Sequence, residues 1–132
     1  MSMTGHCLCG AVKLCIDHLP QKVMHCHCTM CRRHSGAAFM TYAMFAAGDV
    51  HFTGQQPTYY QSSPEAQRGH CSTCGSPVSF IYSTDPDHIY IAAGVLDDAA
   101  CLAPSEHWYA ASMLPWLLLN DGLPRCNALP EA

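Results

Sequence analysis

Cys26-His27-Cys28-Thr29-Met30-Cys31 sets three thiols within six residues. Two further groups lie on either side of it: Cys7-Leu8-Cys9-Gly10 upstream and Cys71-Ser72-Thr73-Cys74-Gly75 downstream. Seven cysteines in three clusters divide into one four-thiolate metal site and one three-thiolate site, and an ion held by only three protein ligands keeps a position for substrate or water. In extended backbone residues i and i+2 share a face, so Cys7 with Cys9, and Cys26 with Cys28, can each present two sulfurs to one ion. Cys28 with Cys31, and Cys71 with Cys74, have the spacing of a tight turn or first helical turn that is common in zinc knuckles. Gly10 and Gly75 each follow the last cysteine of a cluster, where a residue free to take positive φ lets the chain turn its amides toward the sulfurs.

The competing reading is a disulfide framework, since ten cysteines is an even count. Against it, the chain opens Met1-Ser2-Met3-Thr4-Gly5-His6 with neither a charged nor an apolar leader segment, so a reduced, cytoplasmic setting is expected. Pairs of cysteines two or three residues apart in three separate clusters favour metal. Thiolate-rich sites suit zinc, Cu(I) or iron, and zinc is the expectation for two such sites in a reducing cell, two ions per chain with the second the more easily lost. Cys15 and Cys101 fall outside the clusters and are expected to be small buried hydrophobes. Cys126, after Gly122-Leu123-Pro124-Arg125, is the candidate fourth ligand for the three-thiolate site.

At 132 residues the chain is expected to form one domain over 1–132 with a single modest core. Charged residues are 12% and hydrophobic ones 49%, which excludes intrinsic disorder, and no run approaches the roughly 20 apolar residues of a membrane span. The formal charge of −4 grows more negative once thiolates bind zinc, and six Lys and Arg residues make no broad basic face, so nucleic acid is excluded as a partner. The pattern predicts a mainly β protein. Strands are expected at 10–17, 21–25, 38–45, 50–53, 58–61, 67–71, 78–81 and 89–94, with Gly, Pro, Asp or Ser in nearly every gap. Short helical pieces are expected at 29–34 and 112–119.

Gly5-x-Cys7-x-Cys9-Gly10-x-Val12, Cys26-His27-Cys28-x-x-Cys31-Arg32-Arg33, Cys71-x-x-Cys74-Gly75-Ser76, Pro115-Trp116 and Asp121-Gly122-Leu123-Pro124 together resemble the glutathione-dependent formaldehyde-activating enzyme family, also described as centromere-protein-V-like. The resemblance runs from about residue 5 to 125. It implies a β-tent fold of small antiparallel sheets, a structural zinc at Cys7, Cys9, Cys71 and Cys74, and a second, catalytic-type zinc at Cys26, Cys28 and Cys31. The activity it implies joins the thiol of glutathione to formaldehyde, giving S-hydroxymethylglutathione, with carbon–sulfur lyase chemistry in reverse. His70 stands where members usually carry an aromatic residue. Three cysteines make an ion electron-rich and a weak Lewis acid, which favours holding a small thiol, such as glutathione or its aldehyde adduct, over polarising the aldehyde. The alternative is a non-catalytic zinc-stapled scaffold or binding module, with the second site closed by Cys126 or a histidine.

Other residues carry narrower expectations. His27 lies between two proposed ligands and should point away from the ion, supporting rather than ligating it. His25 and His34 flank the same cluster as exposed loop residues or proton carriers. Arg32 or Arg33 is expected to donate to the thiolates, and with Arg68 they are the candidate anchors for substrate carboxylates. Trp108 is expected in the core, with Trp116 a candidate pocket wall. Asp121 is read as a turn former.

Overall fold

The computed structural model describes residues 2–130, which form ten strands and one α-helix. β1 (Met3–His6), β2 (Lys13–Ile16) and β5 (Val50–Phe52) make a three-stranded antiparallel sheet in the order β1-β2-β5. The second sheet has seven strands. It runs β10-β3-β4-β9-β8-β7-β6, with β3 at Lys22–Cys26, β4 at Met40–Ala46, β6 at Thr58–Ser63, β7 at Ala66–His70, β8 at Pro77–Tyr82, β9 at Asp85–Ala92 and β10 at Glu106–Trp108. Every pairing is antiparallel except β3 with β10, which is parallel and sets Trp108 opposite Cys26. The mainly β expectation holds.

Both faces of the large sheet are buried, and strand alternation sorts the residues between them. Val23, Ala43 and Ile91 are successive cross-strand partners facing the three-stranded sheet, where they join Val12, Leu14, Ile16, Phe45 and Val78 in an aliphatic core. Their neighbours Met24, Tyr42 and Ala92 form the corresponding row on the opposite face, packed with Phe80, Tyr90 and Trp108. One side of the sheet therefore carries the branched aliphatic core and the other an aromatic one. The three-cysteine cluster borders the aromatic side.

Helix α1 (Thr29–Ser35) starts where Cys28, in extended conformation, accepts a hydrogen bond from the Cys31 amide, 3.2 Å away. It ends at Gly36, whose φ of 72° closes the last turn. The expected helical piece at 112–119 is not there. A single 3-10 turn covers Ala110–Ser112, and the chain beyond runs without a helix as far as 130. Pro115 lacks an amide hydrogen, and Trp116 and Leu118 face solvent, so no apolar stripe exists to hold a helix against the sheet. Two strands escaped the sequence pattern: β1 and β10.

Candidate metal sites and the aromatic pocket

Cys7 lies just past the end of β1 and Cys71 just past the end of β7, so the first cluster joins the small sheet to the large one. Cys7, Cys9, Cys71 and Cys74 bring their sulfurs within 4.8 Å of one another. The Cys7–Cys9 and Cys9–Cys71 sulfur separations are 3.6 and 3.8 Å. A tetrahedron with zinc–sulfur bonds of about 2.3 Å has edges of about 3.8 Å, so these residues fit a four-thiolate ion. Backbone amides supply the rest of the shell: Val12 and Ala11 donate to Cys7 and Cys9 at 3.3 and 3.5 Å, and Thr73 and Cys74 both donate to Cys71. Gly10 at φ 81° and Gly75 at φ 80° provide the turns that aim those amides.

The second cluster sits at the junction of β3 and α1. Cys26 is the last residue of β3, Cys28 caps the helix, and Cys31 lies in its first turn on the buried side. The sulfurs of Cys28 and Cys31, and of Cys31 and Cys26, are each 3.1 Å apart. The mutual contacts among the three thiols lower the Cys28 pKa through Cys26 and Cys31 and raise that of Cys26 through Cys28. One thiol of the three is thus poised to be a thiolate, the form that binds metal. Three sulfurs converge beside a fixed cation, close enough to share one ion, with separations shorter than the roughly 3.8 Å edges of a zinc–thiolate tetrahedron, so metal binding would spread them.

That cation is Arg68, not Arg32 or Arg33. Its side chain is only 2% exposed, yet one guanidinium nitrogen lies 3.5 Å from Cys31 Sγ and 3.2 Å from the Tyr42 hydroxyl, and the other 3.9 Å from Cys28 Sγ. The guanidinium stacks over Phe80 at 4.6 Å. Burial works against its charge, but the neighbouring Cys31 and Tyr42 raise its pKa. Register explains its position: Arg68, Phe80 and Tyr90 are successive cross-strand partners in one row on the aromatic face. Arg32 and Arg33 instead line a surface groove with Leu114 and Trp116, away from the sulfurs.

No fourth protein ligand completes the cluster among the described residues. Cys126 packs on the aromatic core, but its thiol reaches Glu106, 3.8 Å away. His27 points away, as its place between two ligands requires, and is fully buried in a line of hydrogen bonds: His27 Nε2 to His107 Nδ1 at 2.8 Å, and His107 Nε2 to Asp121 Oδ2 at 2.8 Å. The Asp121 carboxylate accepts from His107 Nε2, leaving His107 Nδ1 to accept from His27, which fixes both tautomers. Asp121 is therefore more than a turn former. It anchors the closing segment to β10, the parallel neighbour of the strand that bears Cys26, although it also caps its own turn by accepting from the Leu123 amide. Cys15 is half-buried and Cys101 exposed, so neither is the buried hydrophobe expected. His25 is half-buried against Thr41, and His34 lies within α1 rather than in a loop.

Over the three sulfurs opens a cavity of about 180 Å³. Cys26, Cys28, Cys31, Arg68 and Tyr42 form its polar end, and Met24, Phe80, Tyr82, Tyr90, Trp108 and Tyr109 its walls, with Met30, Ser63 and Glu65 also contributing. The rings brace one another: Phe80 meets Tyr82 edge-on at 4.5 Å, and Tyr90 meets both Tyr82 and Trp108 at 5.9 Å. Glu106 fixes Trp108 by accepting its indole hydrogen at 2.6 Å and pairs with Lys22 at 3.2 Å. Trp108 is both core and pocket wall, whereas Trp116 is 67% exposed and outside it.

Two sheets joined by a four-cysteine cluster, with a three-cysteine cluster beneath an aromatic pocket, define a mainly β protein with two cysteine clusters that could hold metal. Residues 2–112 match the family model described as glutathione-dependent formaldehyde-activating enzyme, and the chain belongs to that family. A Schizosaccharomyces pombe protein named as an uncharacterised lyase is 30% identical over 89 residues, an alignment covering 67% of this chain and 64% of the relative. The match thus spans just under two thirds of that relative's length. The crystal structure of a Rhodobacter sphaeroides protein is similar with a TM-score of 0.61 at 22% identity, over 94% of this chain and 100% of that one, a likeness of fold. No helix among the described residues is long and apolar enough to cross a membrane.

Proposed function

We propose that this protein is a zinc-dependent carbon–sulfur enzyme of the lyase class that acts on a small thiol and its aldehyde adduct, in the manner of S-hydroxymethylglutathione synthesis. The observation that carries the reading is the three-sulfur cluster on a pocket floor with no fourth protein ligand among the described residues. Cys7, Cys9, Cys71 and Cys74 would hold a structural zinc, and Cys26, Cys28 and Cys31 the catalytic one, within a single domain spanning 1–132. When bound at the second site, zinc supplies a position where a substrate thiol is held as the reactive thiolate at neutral pH.

The chain's own groups do the remainder. In the forward direction the substrate sulfur forms a bond to the aldehyde carbon, the carbonyl π bond breaks, and the proton released by the thiol ends on the new hydroxyl. The reverse breaks that carbon–sulfur bond and returns the proton. Arg68 balances the negative charge of the three thiolates and fixes their orientation through Cys31 and Cys28. Tyr42 accepts from Arg68 and donates its own hydrogen to no protein group among the described hydrogen bonds. Burial holds that hydroxyl far above its usual pKa, so it stays protonated and can donate to the developing oxyanion. The aromatic walls give the reacting groups largely apolar surroundings, where water competes less for the aldehyde.

Seven cysteines at metal-ligand spacing support a reducing, cytoplasmic setting, and the small number of cations argues against a nucleic-acid partner. The test is the exchange rate between glutathione with formaldehyde and their adduct, followed by NMR. Zinc-loaded protein is expected to accelerate exchange, with the acceleration lost in Cys28→Ser and reduced at least tenfold in Tyr42→Phe. Exchange at the uncatalysed rate with the loaded wild type would contradict the glutathione reaction.

A further inference from the structure

The pocket is much larger and more apolar than a hydroxymethyl group needs. A cavity of roughly 150 Å³ already holds benzene, and this one measures about 180 Å³. Its polar groups gather at the sulfur end, while Met24, Phe80, Tyr90 and Trp108 form buried walls beyond them. Among the lining residues Arg68 is the sole cation, and it is already engaged with Tyr42 and two sulfurs. Glu65 adds a carboxylate. No uncommitted cation in this lining faces the two carboxylates of glutathione, so the body of a tripeptide would lie outside these walls. Whatever occupies the walls is apolar, compact and attached close to the reacting sulfur.

We infer that the pocket selects conjugates whose sulfur-bound carbon carries an apolar group of about ring size, such as the adduct of a thiol with an aryl or branched aliphatic aldehyde, over the bare hydroxymethyl adduct. The inference rests on the preceding reading that the substrate sulfur faces Cys26, Cys28 and Cys31. The edge-to-face packing of the rings keeps the walls open in shape, so a flat or branched group enters with little rearrangement. Each methylene equivalent moved from water into such surroundings strengthens binding about fourfold.

The test uses three probes: phenylmethanethiol, which carries a ring on the sulfur-bound carbon; 2-mercaptoethanol, which does not; and toluene, which has the ring and no sulfur. Thiol affinities are read from the absorption of cobalt-loaded protein. Ring entry is read from Trp108 emission in Trp116→Phe, which leaves Trp108 as the only tryptophan and removes an exposed side chain outside the pocket. Phenylmethanethiol is expected to bind at least tenfold more tightly than 2-mercaptoethanol and to change Trp108 emission, with toluene binding more weakly than phenylmethanethiol. Equal affinities for the two thiols, or ring binding that leaves Trp108 untouched, would overturn the inference. Toluene and phenylmethanethiol binding alike, with no cobalt response to either thiol, would support the apolar selection and defeat the thiol reading on which the proposed function depends.

Discussion

Arg68 concentrates the chemistry of the site in one side chain. A buried guanidinium normally needs a carboxylate partner, and here the sulfurs of Cys31 and Cys28 take that place. Arg68→Met keeps the packing on Phe80 but removes the charge, and is expected to weaken metal at the three-cysteine site about 10- to 100-fold while sparing the four-cysteine site. Chelator competition measures both, and unchanged affinity at the second site would show that the guanidinium only packs. His107 serves a different purpose. With both ring nitrogens bonded and the side chain wholly buried, His107→Ala should cost about 2–4 kcal/mol in denaturant unfolding, because it leaves a void and strands His27 and Asp121. Glu106 gives the pH dependence. Burial works against its ionisation, but hydrogen bonds from Trp108 and Lys22 outweigh that and hold its pKa below the ordinary carboxylate range. A depressed folded value means the stabilisation is complete above the unfolded carboxylate range and is lost as pH falls through the folded one. Glu106→Gln should therefore flatten the acid limb of the stability profile, and an unaltered limb would place its origin elsewhere.

At the level of elements, the two glycines that close the four-cysteine cluster are the sensitive points. Gly75 sits at φ 80° with open space where a Cβ would be, so Gly75→Ala meets backbone strain and no collision. The cost expected is about 1–2 kcal/mol, with faster zinc loss from the four-cysteine site than from the other. Both glycine turns were legible in the sequence, as were the α1 turn and most strands, because cysteine spacing and apolar alternation are local signals. β1 was not, since Met3-Thr4-Gly5-His6 offers little apolar alternation, with a glycine at its third position. β10 is three residues long and pairs in parallel with a strand about eighty positions earlier, which no local pattern encodes. Arg68 was missed as the thiolate partner for the same reason. Its meeting with Cys31 depends on the cross-strand register of β7 and β8, and Arg32 and Arg33 stood nearer in sequence. A usable clue was present: Arg68 shares a strand face with buried Ala66, an arrangement that turns an arginine inward. The line from Asp121 through His107 to His27 joins residues 14 and 80 positions apart, beyond any spacing rule.

For the molecule as a whole, the proposed function assigns stability to one cluster and chemistry to the other. The first links Cys9 to Cys71 across 62 positions and ties the small sheet to the large one, so a metal bound there would close a long loop and contribute to the folding free energy. Cys71→Ser should lower the melting temperature by about 10 °C or more. The second cluster lies at the mouth of a sheet whose two faces are already packed, and its loss should leave the fold intact. Cys28→Ser isolates this difference, because it removes one sulfur from the open site and none from the closed one. The decisive measurement is zinc content per chain for wild type and Cys28→Ser, each with and without glutathione. Two zincs in the wild type, one in a folded variant, and a thiol response confined to the ion that the variant lacks are the results this account expects. Two zincs that are both tightly held and indifferent to thiols, or a Cys28→Ser chain that unfolds, would contradict it.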